Sequence, residues 1–173
     1  HSRVIFQNTA DRDVLMEAGA VRADQVVMVR GSGVDLDRFT PTPWPEGPVT
    51  VAMASRLLRD KGVEEFVEAA RLSAARGEGL CWRLAGSLDP ENPASVRPDQ
   101  LRAWQESGVI DYVGECEDVA GFYAQSHIVT LPSYREGLPK SLIEAAACGR
   151  PVVTTDVPGC RDVIEPDVSG LLV

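Results

Sequence analysis

The sequence has no long apolar stretch. Runs such as Ile128–Leu131 stop after a few residues, far short of a bilayer span, so no segment of the 173 residues reads as a transmembrane helix. It has only four cysteines, at 81, 116, 148 and 160, with no CxxC pair, and its two histidines are too few for most zinc arrangements. We therefore expect reduced thiols in a cytoplasmic setting. Positive charge is scarce as well. Seventeen Lys and Arg against 26 Asp and Glu leave a net charge of -9, and a general nucleic-acid binder is excluded because counterion release needs a basic face. An anionic ligand would require a small basic site, which makes the cluster Arg56, Arg59 and Lys61 worth following.

What is present is enough hydrophobic sequence, 44%, to bury one sizeable core. The periodicity predicts strand Val4–Phe6, a helix from Asp11 to Ala18, and strand Val26–Val29. Four prolines and a glycine between Thr40 and Pro48 then forbid a helix or a central strand and mark a linker. Beyond it, apolar strands alternate with helices. The strands are Val49–Ala52, Cys81–Ala85, Ile110–Val113, Ile128–Leu131, Val152–Thr155 and a last one from Gly170. The helices carry Val63, Phe66, Val67, Ala70 and Ala74 at helical spacing, then cover Asp99–Glu106, Val119–Gln125 and Pro139–Cys148. This alternation predicts an α/β fold: a Rossmann-like parallel sheet with helices on both faces and ligands beyond the carboxyl ends of its strands.

Two of the loops that follow strands are chemically informative. Ala54–Gly62 runs from a strand end towards a helix and places Arg56 and Lys61 beside a positive helix N-terminus, an arrangement that suits a pyrophosphate but also an ordinary solvated surface. Leu131–Glu144 carries Glu136 before a helix and Glu144 within it. Pro139 suits the first helical turn, and Gly149 followed by Arg150-Pro151 stops the helix. On a helical wheel Leu142, Ile143, Ala146 and Ala147 can face the sheet, leaving Lys140, Ser141 and Glu144 turned to one edge. The amides of Lys140 and Ser141 could bind phosphate, and the two carboxylates could accept from sugar hydroxyls. By itself a Glu-x7-Glu spacing also arises by accident, and Lys140 to Glu144 is also a simple i,i+4 surface pair. The Gly31-x-Gly33 pair is not a dinucleotide fingerprint, since Leu36 stands where the third glycine belongs.

Taken together these segments resemble the retaining glycosyltransferases of family 4, which have the GT-B fold. The matching pieces are the Gly-Val-Asp-x-x-x-Phe hinge at Gly33–Phe39, Ser-Arg-x4-Lys-Gly from Ser55, Glu-x7-Glu from Glu136, and Cys-Gly-Arg-Pro-Val-Val from Cys148. They span nearly the whole chain. The resemblance implies that residues 1–38 are the tail of an acceptor-side N-terminal domain with its hinge, that 39–48 is the linker, and that 49–173 is a nucleotide-sugar donor domain lacking its closing helix. Such a fragment is not expected to turn over alone.

The resemblance also assigns roles. Glu136 would contact the transferred sugar and Glu144 the ribose, while Arg56 and Lys61 clamp the diphosphate. The amides of Gly137, Leu138, Lys140 and Ser141 would add to the grip, Pro139 having no N–H of its own. Gly114 to Cys116 match the segment that meets the nucleobase, where Cys116 packs either against the base or simply as a small buried apolar residue. No cofactor and no metal are expected, the nucleotide sugar being a substrate. The partners implied are that donor, uridine-based by the branch resembled, and a surface-polysaccharide or lipid-linked glycan acceptor held by the N-terminal domain, with the full-length enzyme at the cytoplasmic face of a membrane. Two other readings compete: a nucleotide-sugar epimerase of the same fold, and a non-catalytic nucleotide-binding module.

Overall fold

The computed structural model describes residues 2–173. It opens with a small parallel βαβ unit of β1 (Val4–Phe6), α1 (Thr9–Glu17) and β2 (Val26–Met28), with Val4 opposite Val26. Helix α1 starts ahead of the expected Asp11 because the Asn8 side chain caps it, accepting from the Asp11 amide at 2.8 Å. From Thr40 to Pro48 the chain has neither helix nor strand, as its prolines require.

Six parallel strands then build the main sheet: β3 (Thr50–Ala54), β4 (Cys81–Ala85), β5 (Asp111–Gly114), β6 (Ile128–Leu131), β7 (Val152–Thr154) and β8 (Gly170–Leu172). The first five are joined by α2 (Val63–Ala75), α3 (Pro98–Glu106), α4 (Val119–Ala124) and α5 (Lys140–Ala147). The spatial order is β5-β4-β3-β6-β7-β8. Counted from its own first strand this is 3-2-1-4-5-6, the order of a doubly wound sheet. Crossovers between parallel strands are right-handed, so α2 and α3 cover one face; once the chain reverses past β5, α4 and α5 cover the other, packed side by side. The expected α/β architecture is the one found.

Helix α2 shows why the sequence folds this way. Val63, Phe66, Val67 and Ala70 form a stripe on one face, each at most 1% exposed, and burying a side chain such as Phe66 stabilises the fold by about 1.5–3 kcal/mol. Ser73, not the expected Ala74, closes that stripe; Ala74 is exposed. Helix α5 departs further from expectation. It begins at Lys140 with Pro139 as its cap, and its buried side consists of Leu142, Glu144, Ala145 and Cys148, while Ala146 is exposed. The helix is therefore turned so that Glu144 faces inward. The small residues at 145 and 148 let its backbone lie close to the sheet, and the carboxylate of Glu144 finds a cavity there instead of apolar packing.

Candidate functional site

The order of the strands decides where a site can form. Strands β3 and β6 are neighbours, yet the chain leaves them towards opposite faces, which opens a crevice beyond their carboxyl ends. The loops that follow these two strands are the basic loop from Ser55 and the glutamate loop from Pro132. Gly62 lets them meet. It has φ 76°, and a Cβ there would stand 2.1 Å from the Pro132 carbonyl oxygen, so only glycine fits. The Ser133 hydroxyl donates to the Asp60 carbonyl at 2.9 Å and the Tyr134 amide donates to the same oxygen at 3.0 Å. From the other side the loop is held by the Thr155 hydroxyl on the Ser133 carbonyl and by Asn8, whose amide donates to the Gly137 carbonyl at 2.8 Å. Glu136 thus stands on a backbone fixed from three directions.

Two abutting cavities occupy the crevice. One, about 190 Å³, is lined by Arg56, Lys61, Glu136, Pro139, Lys140 and Ser141 together with Ala54, Ser55 and Leu131. The other, about 230 Å³, is lined by Glu115, Cys116, Val119, Tyr123 and Glu144, by Gly86 and Ser87 after β4, and again by Ser55, Arg56 and Ser141. The residues common to both lie at their junction, where the N-terminus of α5 leaves the amides of Lys140 and Ser141 without intrahelical partners. The arrangement offers cations and free N–H groups at the junction with a carboxylate on either side.

Each cation of the site is paired with an acid. Lys61 Nζ lies 2.6 Å from Glu136 Oε1, Lys140 Nζ 3.4 Å from Glu144 Oε1, and Arg56 Nη1 3.1 Å from Asp89 Oδ2. The Lys61–Glu136 pair is the sheltered one, with side chains 23% and 11% exposed, while Arg56 and Lys140 are largely in solvent. Burial, and then the charge of Asp118, hold the Cys116 thiol above its ordinary range. Burial followed by the charge of Glu144 does the same to the Tyr123 hydroxyl.

Of the residues singled out from sequence, Arg56, Lys61, Glu136, Pro139, Lys140, Ser141, Glu144 and Cys116 line the cavities. Gly114, Gly137 and Leu138 do not. The Gly114 carbonyl accepts from the Gly86 amide at 2.8 Å, the Gly137 carbonyl accepts from Asn8, and Leu138 packs against Gly31. Lys61 sits in a 3-10 turn, Arg59–Lys61, ahead of Gly62, not at the start of α2. Glu115, within the segment expected to meet the nucleobase, also lines the larger cavity, whereas sequence reasoning missed Ser55, Gly86, Ser87 and Tyr123 as lining residues. Gly86 had a detectable signal, a glycine directly after an apolar strand: with φ 144°, a Cβ there would lie 1.7 Å from the Ser55 carbonyl oxygen. Nothing in the local pattern marked Tyr123, which reads simply as a core position of α4. Among the described residues no group of His, Cys, Asp and Glu could hold a metal ion, and no helix is long and apolar enough to cross a membrane.

A doubly wound sheet with cations, free amides and carboxylates gathered at its switch point is an α/β domain of the type that receives anionic ligands there. The family is more specific. The model of the glycosyl transferases group 1 matches residues 48–173, and the chain belongs to that family. It is 30% identical over 181 aligned residues to the N,N'-diacetylbacillosaminyl-diphospho-undecaprenol alpha-1,3-N-acetylgalactosaminyltransferase of Campylobacter jejuni, covering 96% of this chain and 46% of that enzyme. The fold is that of GT-B glycosyltransferases. Anabaena Alr3699/HepE, solved in complex with UDP and glucose, superposes with a TM-score of 0.80 at 21% identity, covering 99% of this chain and 49% of that one. A glycosyltransferase from Rickettsia africae superposes with 0.83 at 22% identity, covering 99% and 49% respectively. The chain therefore spans about half the length of these proteins.

Proposed function

We propose that residues 49–173 bind the nucleotide-diphospho sugar of a retaining hexosyl or N-acetylhexosaminyl transferase, with a uridine diphosphate donor and a surface-polysaccharide or lipid-linked glycan acceptor. The observation that carries this reading is the convergence, at the switch point, of Arg56, Lys61, Lys140 and the free amides of α5 between Glu136 and Glu144. The diphosphate fits the cationic junction, the sugar the Glu136 cavity, and the nucleoside the cavity of Glu144, Glu115 and Cys116. Supporting it, the Anabaena protein is solved with UDP and glucose, and the Campylobacter relative is named for transfer of N-acetylgalactosamine to a diphospho-undecaprenol acceptor. Residues 1–38 would belong to the acceptor side, with 39–48 the connection, and the full-length enzyme would work at the cytoplasmic face of a membrane.

In this mechanism the acceptor hydroxyl oxygen bonds to the anomeric carbon on the face from which the diphosphate departs. The bond from that carbon to the phosphate oxygen breaks, and the leaving oxygen takes the acceptor's proton. Arg56, Lys61 and the α5 amides stabilise the charge that develops on the diphosphate, each preorganised donor contributing about 2.7–4 kcal/mol to the transition state. These groups take the part a cation would otherwise play, so the proposal includes neither metal nor cofactor. Glu136 positions the sugar.

Titration of the chain with UDP, GDP and ADP, repeated with Glu144→Ala and Arg56→Ala, tests the binding half. UDP is expected to bind and both variants to weaken it; a folded chain that binds no nucleoside diphosphate would sink the reading. For the chemistry, the full-length parent is incubated with a sugar nucleotide and a lipid-linked acceptor. Epimerised donor without transfer would favour an epimerase of the same fold instead.

A further inference from the structure

Tyr123 is out of keeping with its surroundings. Its side chain is fully buried at 0% exposure on α4, it lines the nucleoside-side cavity with Glu144, and its hydroxyl has no hydrogen-bond partner among the described residues. A buried hydroxyl without an acceptor destabilises a fold, and phenylalanine would occupy the same volume without that cost. A polar atom held at such a disadvantage beside a candidate site points to a partner acquired on binding.

The surroundings identify that partner. Glu144 is the charge that acts most on the Tyr123 hydroxyl after burial itself. The Glu144 carboxylate is held on its exposed side by Lys140, at 3.4 Å, through a lysine whose own side chain is 62% exposed. Lys140 also lines the cationic cavity, so a bound diphosphate competes with Glu144 for it. Once Lys140 turns to phosphate, the carboxylate loses its outer partner while the Tyr123 phenol, lining the same cavity, is available as an unused donor. The main chain of Tyr123 is itself fixed, its carbonyl accepting from Arg150 Nε at 3.2 Å, so the hydroxyl is offered from a rigid support.

We infer that Tyr123 is a positioning residue for Glu144: when a nucleoside diphosphate binds, its hydroxyl donates to the Glu144 carboxylate from the buried side and aims the remaining lone pairs at the ligand's vicinal ribose hydroxyls. The inference rests on the donor-site reading above and extends it to the residue that sets ribose recognition. Diphosphate and ribose binding are thereby coupled, since phosphate frees Glu144 from Lys140 and Tyr123 takes it up.

The test is Tyr123→Phe in the 173-residue chain, with affinity measured calorimetrically for UDP and for 2'-deoxy-UDP and stability by thermal melting. The variant is expected to lose about three- to tenfold in UDP affinity, the value of one buried hydrogen bond, and to bind 2'-deoxy-UDP nearly as wild type does. The preference for ribose over deoxyribose collapses while Tm stays level or rises by about 2–4 °C. Unchanged UDP affinity, or equal losses for the two nucleotides, or a fall in Tm with the ribose preference intact, would overturn the assignment of Tyr123 alone. A wild-type chain that binds no nucleoside diphosphate overturns the donor-site reading and this inference with it.

Discussion

Lys61 and Glu136, 75 residues apart in sequence, form a direct ion pair, Nζ to Oε1 at 2.6 Å, across the crevice between the loops that follow β3 and β6. The same two side chains are the proposed holders of phosphate and of sugar. Each satisfies the other in this pair, so a diphosphate must draw Lys61 away from Glu136, at least in part. Glu136 is then free to accept from sugar hydroxyls, and the two halves of a sugar nucleotide bind as a coupled pair.

Removing the carboxylate charge separates these effects. Glu136→Gln is expected to tighten binding of UDP by about three- to tenfold, because Lys61 is released and a negative charge near the diphosphate disappears. Transfer by the full-length parent should fall at the same time. Calorimetric titration with UDP checks the first half, and an affinity lower than wild type would show that the pair does not compete with the ligand.

Gly62 is where the two loops touch. Gly62→Ala places a methyl group 2.1 Å from the Pro132 carbonyl in a left-handed conformation, so backbone rather than a flexible side chain must move. The loss should exceed the roughly 1–2 kcal/mol of a left-handed alanine alone. Gly77→Ala, at φ 67° with open space around it, supplies that reference. Equal denaturation midpoints for the two variants would contradict the role assigned to Gly62.

Arg150 ties the proline-rich segment to the body. The side chain is 2% exposed, and its guanidinium donates to the carbonyls of Tyr123, Ala124, Thr42 and Pro43 while lying over the Trp44 ring at 5.8 Å. Arg150→Met keeps the bulk and removes the donors, at an expected loss of about 2–4 kcal/mol. The Trp44 indole, 59% exposed already, should shift its emission to the red as the segment loosens. Retained midpoint and emission would mean that the segment is held by other contacts.

The four thiols should report the site without any mutation. Cys81 is exposed, Cys116 half-buried, and Cys148 and Cys160 buried. Burial raises the pKa of Cys116, Cys148 and Cys160, so their reactive thiolates appear only above the ordinary thiol range, and alkylation near neutral pH should begin at Cys81. Raising the pH brings Cys116 into reaction next. UDP should then slow labelling of Cys116 and leave Cys81 unchanged, as followed by mass spectrometry. Protection of Cys81 in place of Cys116 would put the nucleoside elsewhere.

Much of this protein is local chemistry that a sequence states outright. Alternating short apolar runs and the stripe from Val63 to Ala70 define the strands and helices, proline fixes the segment from Thr40 to Pro48, and Gly149 ends α5. Spacing such as Glu136 to Glu144 shows that two carboxylates belong to one segment, and the wording around them carries the family. The tertiary structure alone decided which side of α5 turns inward, because a helical wheel ranks apolar faces but cannot register that alanine at 145 allows closer packing than apolar bulk while a cavity receives Glu144. It also decided that Lys61 meets Glu136, that Arg56 is countered by Asp89, and that the Tyr123 hydroxyl is left without a partner among the described residues. Those pairings join loops that follow separate strands, and they exist because the order 5-4-3-6-7-8 sets the end of β3 between those of β4 and β6.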